Sequence, residues 1–336
     1  MKSLRTLSSL LALTLVAGCQ KKTDEAVPAD TSAAVPLKIA YSDWPGWTAF
    51  EIAIQKGWFK DAGVDVEFSW FEYAPSMEAF TAGKVDAVTV ASGDALVTGA
   101  QGGKNVAILV TDYSNGNDMI VAKPGIADLK ALKGKSIGLE LGLVEHLLLQ
   151  KGLESNGMKI SDVKLVGVPT NQTAQVLASG SVDAIGAWNP NSGQALKSVP
   201  GSKAVYSSAD APGLIYDFLS VNPQSLATRR DDWVKVVKVW NKVVAYLKAP
   251  ATRDSGIAIM AARVGVPAAD YAKFIDGTKL LTLEESRPRF QPGSTLENIP
   301  FSMAYADTFN VVNKVYAASQ PVATYLDSTL TVDALK

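Results

Sequence analysis

The sequence predicts an α/β protein with two similar lobes, and three observations support this prediction. Residues 81–88, TAGKVDAV, recur about a hundred positions later as ASGSVDAI at residues 178–185. Ile39 in KIAYSD and Ile137 in SIGLEL are separated by nearly the same offset. Strand-like runs also alternate with helix-like segments, as in parallel βαβ units. Because internal repeats reflect repeated structural units, we expect two doubly wound lobes.

The predicted elements of the first lobe follow from hydrophobic periodicity and from glycine or proline at the breaks. They are a strand in LKIAY from Leu37, a helix from Thr48 to Phe59, a strand in VDVEFSW, a helix from Pro75 to Thr81, a strand in GKVDAVTVA, a helix from Ala95 and a strand from Val106 to Val110. In the repeated turn, we interpret Asp86 and Asp183 as structural, bonding backbone near a strand start.

The second half repeats this plan between two predicted crossings, at residues 118–123 and 214–221. Its elements are a strand in SIGLE, a helix from Val144 to Ser155, a strand in VKLVGV, a helix from Thr173 to Ala178, a strand in VDAIGAW and a helix from Ser192 to Val199. Beyond residue 221 the pattern is helical. Trp233, Trp240 and Leu247 share an apolar face at helical spacing, which indicates core packing. Further helices are predicted at residues 251–263, 267–276 and 296–317.

The N-terminus reads as an export signal. Lys2 and Arg5 precede an apolar run, and the string LVAGC ends at Cys19. This string resembles the lipobox of bacterial lipoproteins, which implies cleavage before Cys19 and lipid on its sulfur. We therefore expect residues 1–18 to be a signal peptide, residues 19–36 a flexible tether, and the protein to be anchored to a membrane by lipid at the periplasm or cell surface.

Composition excludes several classes of function. The chain has 32 basic and 33 acidic residues and no basic block, so nucleic acid is not an expected partner. One Cys and one His exclude a zinc cluster built from these residues, and we expect no metal ion and no cofactor. There is no GxGxxG after a strand and no GxSxG motif, so we predict a protein that is not an enzyme.

The candidate binding residues are aromatic and acidic, and they follow predicted strands. In open α/β sheets ligands bind beyond the carboxyl ends of the strands, so these residues are expected to face one cleft. They are Asp43, Trp44, Trp47, Phe71, Glu72, Asp94 and Asp112 from the first lobe, Glu140, Glu145, His146, Trp188 and Asn189 from the second, and Asp217 on the return crossing.

Some of these residues have structural alternatives that the sequence leaves open. Asp43 could cap the following helix instead of contacting a ligand. Glu145 in a first helical turn would be stabilised by the helix dipole without any ligand, and the same alternative applies to Glu140. His146 could be a core or wall residue. Trp44 and Trp47 could serve packing instead of lining a pocket.

Several motifs occur together in the order typical of one family. They are the lipobox, GKVDAV and GSVDAI, the DWPGW loop followed by AIQKGWFKDAGVDVEF, the string DLKALKGKSIGLE, and AWNPN. Over roughly residues 37–330 the chain resembles the substrate-binding proteins of ABC importers of the nitrate, sulfonate and taurine type, a group that also includes binders of thiamine-pyrimidine precursors.

This resemblance implies a type II periplasmic-binding-protein fold, with two lobes joined by two hinge strands that close on a small molecule. It implies residues 37–120 and 218–336 as lobe one and residues 121–217 as lobe two. It also implies an ABC permease and its ATPase as partners of a protein that we expect to be a monomer. A ligand that touches both lobes would favour the closed state.

The ligand prediction comes from a departure from the family pattern. Relatives that bind oxyanions commonly open the lobe-two helix with Lys-Gly-Ser or Ser-Ser type sequences, whereas this chain has ELGLVEH at residues 140–146. Carboxylates repel anions, and tryptophan faces with carboxylates suit a cation. We predict a small polar nitrogen compound with positive charge, such as an amidine, guanidinium or amine. The alternatives are a sulfonate, taurine or nitrate, an enzyme of the thiamine-pyrimidine type, and a lipoprotein that presents ligand to a receptor.

Overall fold

The computed structural model describes residues 35–336, so the predicted signal peptide, Cys19 and almost all of the predicted tether lie outside the described residues. Strands occupy eleven segments of the described part. They are β1 (Leu37–Tyr41), β2 (Val66–Trp70), β3 (Ala87–Ala91), β4 (Val106–Ser114), β5 (Met119–Ala122), β6 (Ser136–Leu139), β7 (Lys164–Gly167), β8 (Ala184–Ala187), β9 (Lys203–Ser207), β10 (Tyr216–Val221) and β11 (Thr278–Leu280).

Helices lie between these strands and fill most of the chain after residue 222. They are α1 (Pro45–Thr48), α2 (Phe50–Gln55), α3 (Trp58–Asp61), α4 (Tyr73–Thr81), α5 (Ser92–Ala100), α6 (Val144–Ser155), α7 (Thr173–Ala178), α8 (Asn191–Ser198), α9 (Pro223–Thr228), α10 (Arg230–Lys248), α11 (Pro250–Val264), α12 (Ala268–Asp276), α13 (Leu283–Ser286), α14 (Ile299–Val312) and α15 (Thr329–Ala334). No helix within residues 35–336 is both long enough and apolar enough to cross a membrane.

The strands form two sheets with the same topology. The first has the order β11-β4-β10-β3-β1-β2, and the second has the order β7-β6-β8-β5-β9. In each sheet three parallel strands in the order 2-1-3 are followed by one antiparallel strand that arrives from the other sheet, β10 in the first and β5 in the second. The predicted α/β class with two doubly wound halves is confirmed.

The chain passes from one sheet to the other twice. It leaves the first sheet after Ser114 and enters the second at Met119, and it leaves the second sheet after Ser207 and re-enters the first at Tyr216. The predicted lobe boundaries at residues 120/121 and 217/218 stay a prediction. Both crossings lie at the carboxyl edge of the parallel strands, where a ligand is expected.

The repeated turn forms the scaffold of both halves. Asp86 Oδ2 accepts a hydrogen bond of 2.9 Å from the backbone N–H of Lys38, and Asp183 Oδ2 accepts one of 2.9 Å from the N–H of Ser136. Each carboxylate thus ties the start of one parallel strand to the start of its neighbour. The structural interpretation of both aspartates is confirmed. The glycine of each turn has a positive φ, 69° at Gly83 and 83° at residue 180, which favours glycine.

Several element bounds differ from the predictions. The helix expected at residues 48–59 is divided: α1 ends at Thr48, and the left-handed φ of 69° at Gly57 separates α2 from α3. The expected polar loop 92–94 is the first turn of α5, and the strand expected to end at Val110 continues to Ser114. The last predicted helix, 296–317, is shorter and ends at Val312. Strands β9 and β11 were not predicted, because three to five residues give too little periodicity.

The core of the helical part was predicted correctly. Trp233 and Trp240 on α10 are both 0% exposed, and the indole Nε1 of Trp240 donates to the carbonyl oxygen of Leu281 at 2.8 Å. The ring of Phe50 lies 4.9 Å from that of Trp240, so α10 packs on the helices that follow β1. Burial of side chains of this size stabilises the fold by about 2–3 kcal/mol each. This core holds the DWPGW loop from behind.

Candidate ligand site between the lobes

A small closed cavity lies where the ends of the two sheets meet. The empty space inside it is about 220 Å³, and the centre of a water-sized molecule can reach only about 10 Å³ of this space. The cavity as it stands has room for about one water, so a larger ligand requires its side chains or the lobes to move. Its walls come from both sheets and from both crossings, and the lining residues are Trp44, Trp47, Tyr73, Ala91, Asp118, Val144, Trp188, Ile215 and Asp217.

Four aromatic rings form most of the wall. Trp47 stacks on Tyr73 with 5.3 Å between ring centroids and an angle of 27° between the planes. Trp44 meets Trp47 edge-on at 6.4 Å, and Trp188 from the second lobe meets Tyr73 edge-on at 5.2 Å. All four side chains are at most 3% exposed. Trp47 Nε1 has no hydrogen-bond partner among the described residues.

Two carboxylates complete the lining, and both belong to the crossings. Asp118 lies in the segment that joins β4 to β5, and Asp217 is the second residue of β10. Each is 2% exposed, and the Oδ2 atom of each has no partner among the described residues. Burial, together with the charge of Asp112, raises the pKa of Asp118 to about 7. Burial and the nearby aspartates raise the pKa of Asp217 well above its usual range.

Asp112 lies directly behind the DWPGW loop. It faces Asp217 across the antiparallel β4–β10 pair, and its Oδ1 accepts a 2.9 Å bond from Trp44 Nε1. A Cβ atom on Gly46 would lie 1.8 Å from Asp112 Oδ2, so only glycine permits this close approach. Burial raises the pKa of Asp112 to about 6. Asp112 therefore fixes the loop and adds negative charge behind the cavity, but it does not line it.

Asp94 joins the two lobes. Its Oδ2 accepts a 2.7 Å hydrogen bond from the hydroxyl of Tyr73 and a 3.3 Å bond from the backbone N–H of Val144, the first residue of α6. The position at a helix N-terminus suits a carboxylate, because the free N–H groups and the helix dipole favour negative charge there. Burial nevertheless dominates and raises the pKa of Asp94 to about 7.

Asp43 forms the second connection between the lobes. Its two oxygens accept bonds from Trp188 Nε1 at 2.8 Å and from Asn191 Nδ2 at 2.9 Å. Helix α1 begins after Trp44 and has no side-chain cap, so the capping alternative for Asp43 was wrong. Burial raises the pKa of Asp43 to about 6. Asp43 thus holds Trp188 in its place in the cavity wall.

Glu72 and Glu140 lie outside this connection, in a neighbouring pocket that also touches Asp43 and Trp188 and whose empty space is about 670 Å³. Glu72 is exposed at the start of α4. Glu140 Oε1 accepts a 3.2 Å bond from the N–H of Thr170, and burial raises the pKa of Glu140 to about 7. The outer pocket is therefore acidic like the inner cavity.

Glu145 and His146 are buried on α6, away from the cavity lining. Glu145 is 0% exposed, packs against Gly186, and has no hydrogen-bond partner for either oxygen among the described residues. Burial raises its pKa well above the usual range. His146 Nδ1 accepts a 3.2 Å bond from the N–H of Gly142, and its ring meets Phe309 edge-on at 4.9 Å. Burial lowers the pKa of His146 to about 4, so it is neutral, and it packs between α6 and α14.

Asn189 and Phe71 also lie outside the cavity lining. Asn189 Oδ1 accepts a 3.1 Å bond from the N–H of Gly193, and its Nδ2 donates to Asn117 Oδ1 at 2.8 Å, so it connects the start of α8 to the first crossing. Phe71 is half-buried and packs against the hydrophobic core. Of the predicted set, the structure brings Trp44, Trp47, Trp188 and Asp217 to the cavity wall.

Asp118 and Tyr73 are the polar lining residues that the sequence analysis missed. Asp118 stands immediately before the apolar strand MIVA, and a charge at the edge of a predicted crossing was the signal available. Tyr73 follows the aromatic-acidic run after β2, but it opens α4 and therefore reads as a helix residue. No Lys, Arg or His lines the cavity. Within residues 35–336 no group of three or more His, Cys, Asp or Glu side chains could hold a metal ion.

The fold and the cavity define a class of protein. The structure superposes on the periplasmic aliphatic sulphonate binding protein SsuA from Escherichia coli with a TM-score of 0.73 at 19% identity, covering 88% of this chain and 99% of that one. The nitrate-binding protein NrtA from Synechocystis PCC 6803 gives 0.66 at 12% identity, covering 89% and 88%. The desulfurization enzyme DSZB gives 0.62 at 15% identity, covering 89% and 99%. The chain therefore has the type II periplasmic-binding-protein fold.

Sequence comparison gives the family. The model described as NMT1/THI5 like matches residues 44–252, which is more than half of the chain, so the chain belongs to this family. A candidate binding protein of Brucella abortus (strain 2308) is 29% identical over 178 residues, or 52% of this chain and 55% of that protein. A candidate aliphatic sulfonates-binding protein of Bacillus subtilis is 28% identical over 205 residues, or 59% and 61%. The matched part thus spans just over half the length of these relatives.

Proposed function

We propose that this protein is the extracytoplasmic solute-binding lipoprotein of an ABC importer and that it captures a small organic cation between its lobes. The observation that carries the proposal is the pair of buried carboxylates, Asp118 and Asp217, which line an aromatic cavity without any cationic side chain and each have one oxygen with no partner among the described residues. Buried charges require a partner, and a ligand cation would supply it. The family and the fold support the role in import.

The names of the relatives mention sulfonates, but this site differs from an anion site. An oxyanion is held best by cationic side chains and several N–H donors, whereas both charged residues that line this cavity are carboxylates. Asp94 also occupies the N–H of Val144 at the start of α6, where an anion would otherwise bind. We therefore propose a cation and not a sulfonate, taurine or nitrate.

The proposed role is binding without catalysis. His146 is buried away from the cavity and is neutral, so it is not placed to activate a nucleophile there. The aromatic and acidic lining suits recognition of a cation through cation–π contact and charge-assisted hydrogen bonds. Prolonged incubation with a bound compound, followed by mass spectrometry, tests this part of the proposal, because recovery of the compound unchanged is the expected result.

The test of the ligand class is calorimetric titration. The full chain carrying Cys19→Ala has no thiol to acylate and is titrated with small amines, amidines and guanidines and, in parallel, with taurine, alkanesulfonates and nitrate. We expect binding of at least one cation and no response to the anions. Tight binding of an oxyanion together with no response to any cation would contradict the proposal.

A further inference from the structure

The shape of the cavity restricts the ligand further than its charge does, and this inference rests on the function proposed above. About 220 Å³ of empty space lies between side chains of both lobes, and the centre of a water-sized molecule reaches only about 10 Å³ of it. A single water needs roughly 10–15 Å³ of such reachable volume, so the site has room for about one water until its side chains move, and its ligand has to be compact. A long or branched cation would have to hold the lobes apart.

The lobes are held closed around this space on two sides. Asp43 accepts bonds from Trp188 and Asn191 on one side, and Asp94 accepts the N–H of Val144 on the other. These bonds can form only if the ligand fits inside the cavity. A ligand with a substituent beyond the aromatic wall would therefore lose these contacts between the lobes.

One part of the wall is flat, and both lining carboxylates come from the segments where the chain crosses between the sheets. Trp47 and Tyr73 stack with 27° between their planes, and Trp188 stands edge-on to Tyr73. A planar delocalised cation is weakly hydrated and stacks on aromatic faces, whereas an ammonium group is a compact and strongly hydrated charge. A flat aromatic wall thus favours the planar cation over the tetrahedral one.

The two free carboxylates select the same shape. Asp118 and Asp217 come from different segments, and each has an oxygen without a partner among the described residues. A guanidinium or amidinium ion has N–H groups on two or three nitrogens in one plane, so it can donate to two carboxylates and keep both faces free for aromatic rings. An alkylammonium ion has three donors on one nitrogen and cannot present a flat face.

We propose that the cavity is specific for a compact planar nitrogen cation of the guanidinium or amidinium type, bonded to Asp118 and Asp217 and enclosed by Trp44, Trp47, Tyr73 and Trp188. Both aspartates lie at the crossings between the lobes, so closure of the lobes brings like charges together. The bound cation offsets this repulsion. Binding and closure are therefore coupled.

The experiment is a calorimetric comparison on the full chain with Cys19→Ala. The probes are guanidinium, acetamidinium, urea, methylammonium and agmatine, with taurine as the anion. We expect guanidinium or acetamidinium to bind at least about tenfold more tightly than methylammonium. Neutral urea, which has the same shape without the charge, should bind about a hundredfold more weakly or not at all. Agmatine, which carries a planar cation on a long chain, should lose about tenfold or more because the cavity cannot enclose it.

Variants test whether Asp118 and Asp217 bind the cation. Asp217→Asn and Asp118→Asn should each weaken guanidinium binding by about tenfold or more. Asp254→Asn changes an exposed carboxylate in the first half of α11 and should leave binding unchanged. The comparison of guanidinium with urea and methylammonium needs no variant, so it decides the question even if a variant fails to fold. Binding of larger amines without any response to the planar ions would overturn this inference and leave the proposed function intact. Binding of taurine and of no cation would overturn both.

Discussion

Asp217 combines features that stability alone would not favour. It is 2% exposed, it faces Asp112 across the β4–β10 pair, and one of its oxygens has no partner among the described residues. Burial and like charge both penalise its ionised form, which is why its pKa is raised well above the usual range. A residue of this kind is typical of a functional site, where a ligand supplies the missing partner.

The first prediction is that Asp217→Asn stabilises the ligand-free protein and weakens its binding of the cation. Removing a buried, uncompensated charge should raise the free energy of unfolding by about 1–2 kcal/mol at pH 8. The same change should weaken cation binding by about tenfold or more, because a charge-assisted bond is lost. Urea denaturation and calorimetry measure the two effects. A variant that is less stable than the wild type and still binds would show that Asp217 is a structural residue.

A second prediction at this scale concerns Gly46. A Cβ atom there would lie 1.8 Å from Asp112 Oδ2, so Gly46→Ala should displace the DWPGW loop or the carboxylate behind it. Overpacking of this kind costs about 1–3 kcal/mol, and the displaced loop carries Trp44 and Trp47 out of the cavity wall. Gly167→Ala is the matched control, because its closest neighbour is the flexible side chain of Leu141 at 3.3 Å. Denaturation and ligand titration should separate the two variants, and equal behaviour would contradict the prediction.

At the scale of elements, short polar connections determine how the two halves meet. Helix α6 begins against Asp94 of the first lobe, and the loop before α8 supplies Trp188 to Asp43. At the rim, Lys197 on α8 pairs with Asp270 on α12 at 2.6 Å, and Tyr305 on α14 donates to Glu154 on α6 at 2.7 Å. The connections beside the cavity are buried, whereas those at the rim are exposed.

The third prediction compares a buried with an exposed connection. Asp43→Ala removes the acceptor for both Trp188 and Asn191, so the closed state should lose stability and the bound cation should dissociate about tenfold faster or more. Asp270→Asn removes only exposed ion pairs, with Lys197 and Lys273, whose contribution is small, and should change the dissociation rate little. Stopped-flow measurement of ligand release on the two variants checks this. Similar rates for both would mean that the bonds of Asp43 do not control release.

At the scale of the whole molecule, the carboxylates around the cavity act together. Burial raises the pKa of Asp94 and Asp118 to about 7 and that of Asp43 and Asp112 to about 6. In the unfolded chain these groups lose their protons near pH 4. Between about pH 4 and pH 7 the folded protein therefore holds more protons than the unfolded one, and its free energy of unfolding falls as the pH rises. His146, with a pKa lowered to about 4, contributes in the opposite direction.

The fourth prediction follows from this decrease of the free energy of unfolding with rising pH. The ligand-free protein should be more stable at pH 5 than at pH 8, whereas cation affinity should increase over the same range because binding requires ionised carboxylates. Urea denaturation without ligand and calorimetry with ligand at several pH values test the two trends. A cation affinity that does not change with pH would indicate that these carboxylates are not its partners.

The fifth prediction concerns the anchor, which depends on residues outside the described part of the chain. If Cys19 carries lipid, the protein should sediment with membranes, and Cys19→Ala should release it to the soluble fraction. The intact mass of the membrane-extracted protein should show acyl groups on a peptide that begins at Cys19. A wild-type protein found wholly in the soluble fraction would contradict the lipoprotein proposal.

The sequence by itself determined the α/β class, the duplication, most helices and the nature of the site as aromatic and acidic. Periodicity and the repeated turn around Asp86 and Asp183 are local signals, and local signals can be read along the chain. The same reasoning found Trp44, Trp47, Trp188 and Asp217, because strand ends converge at one edge of an α/β sheet.

Only the tertiary structure decided which of these side chains share the cavity. Asp112 lies behind the DWPGW loop, and Asn189 and His146 make their contacts outside the cavity. Asp118 belongs to the cavity wall and comes from the first crossing. The physical reason is that the direction of a side chain and the partner of a carboxylate depend on how two lobes pack. Residues that bond there can be far apart in the chain, as Asp43 and Asn191 are, at 148 positions. The sequence could therefore predict the chemistry of the site, but not which oxygens remain free for a ligand.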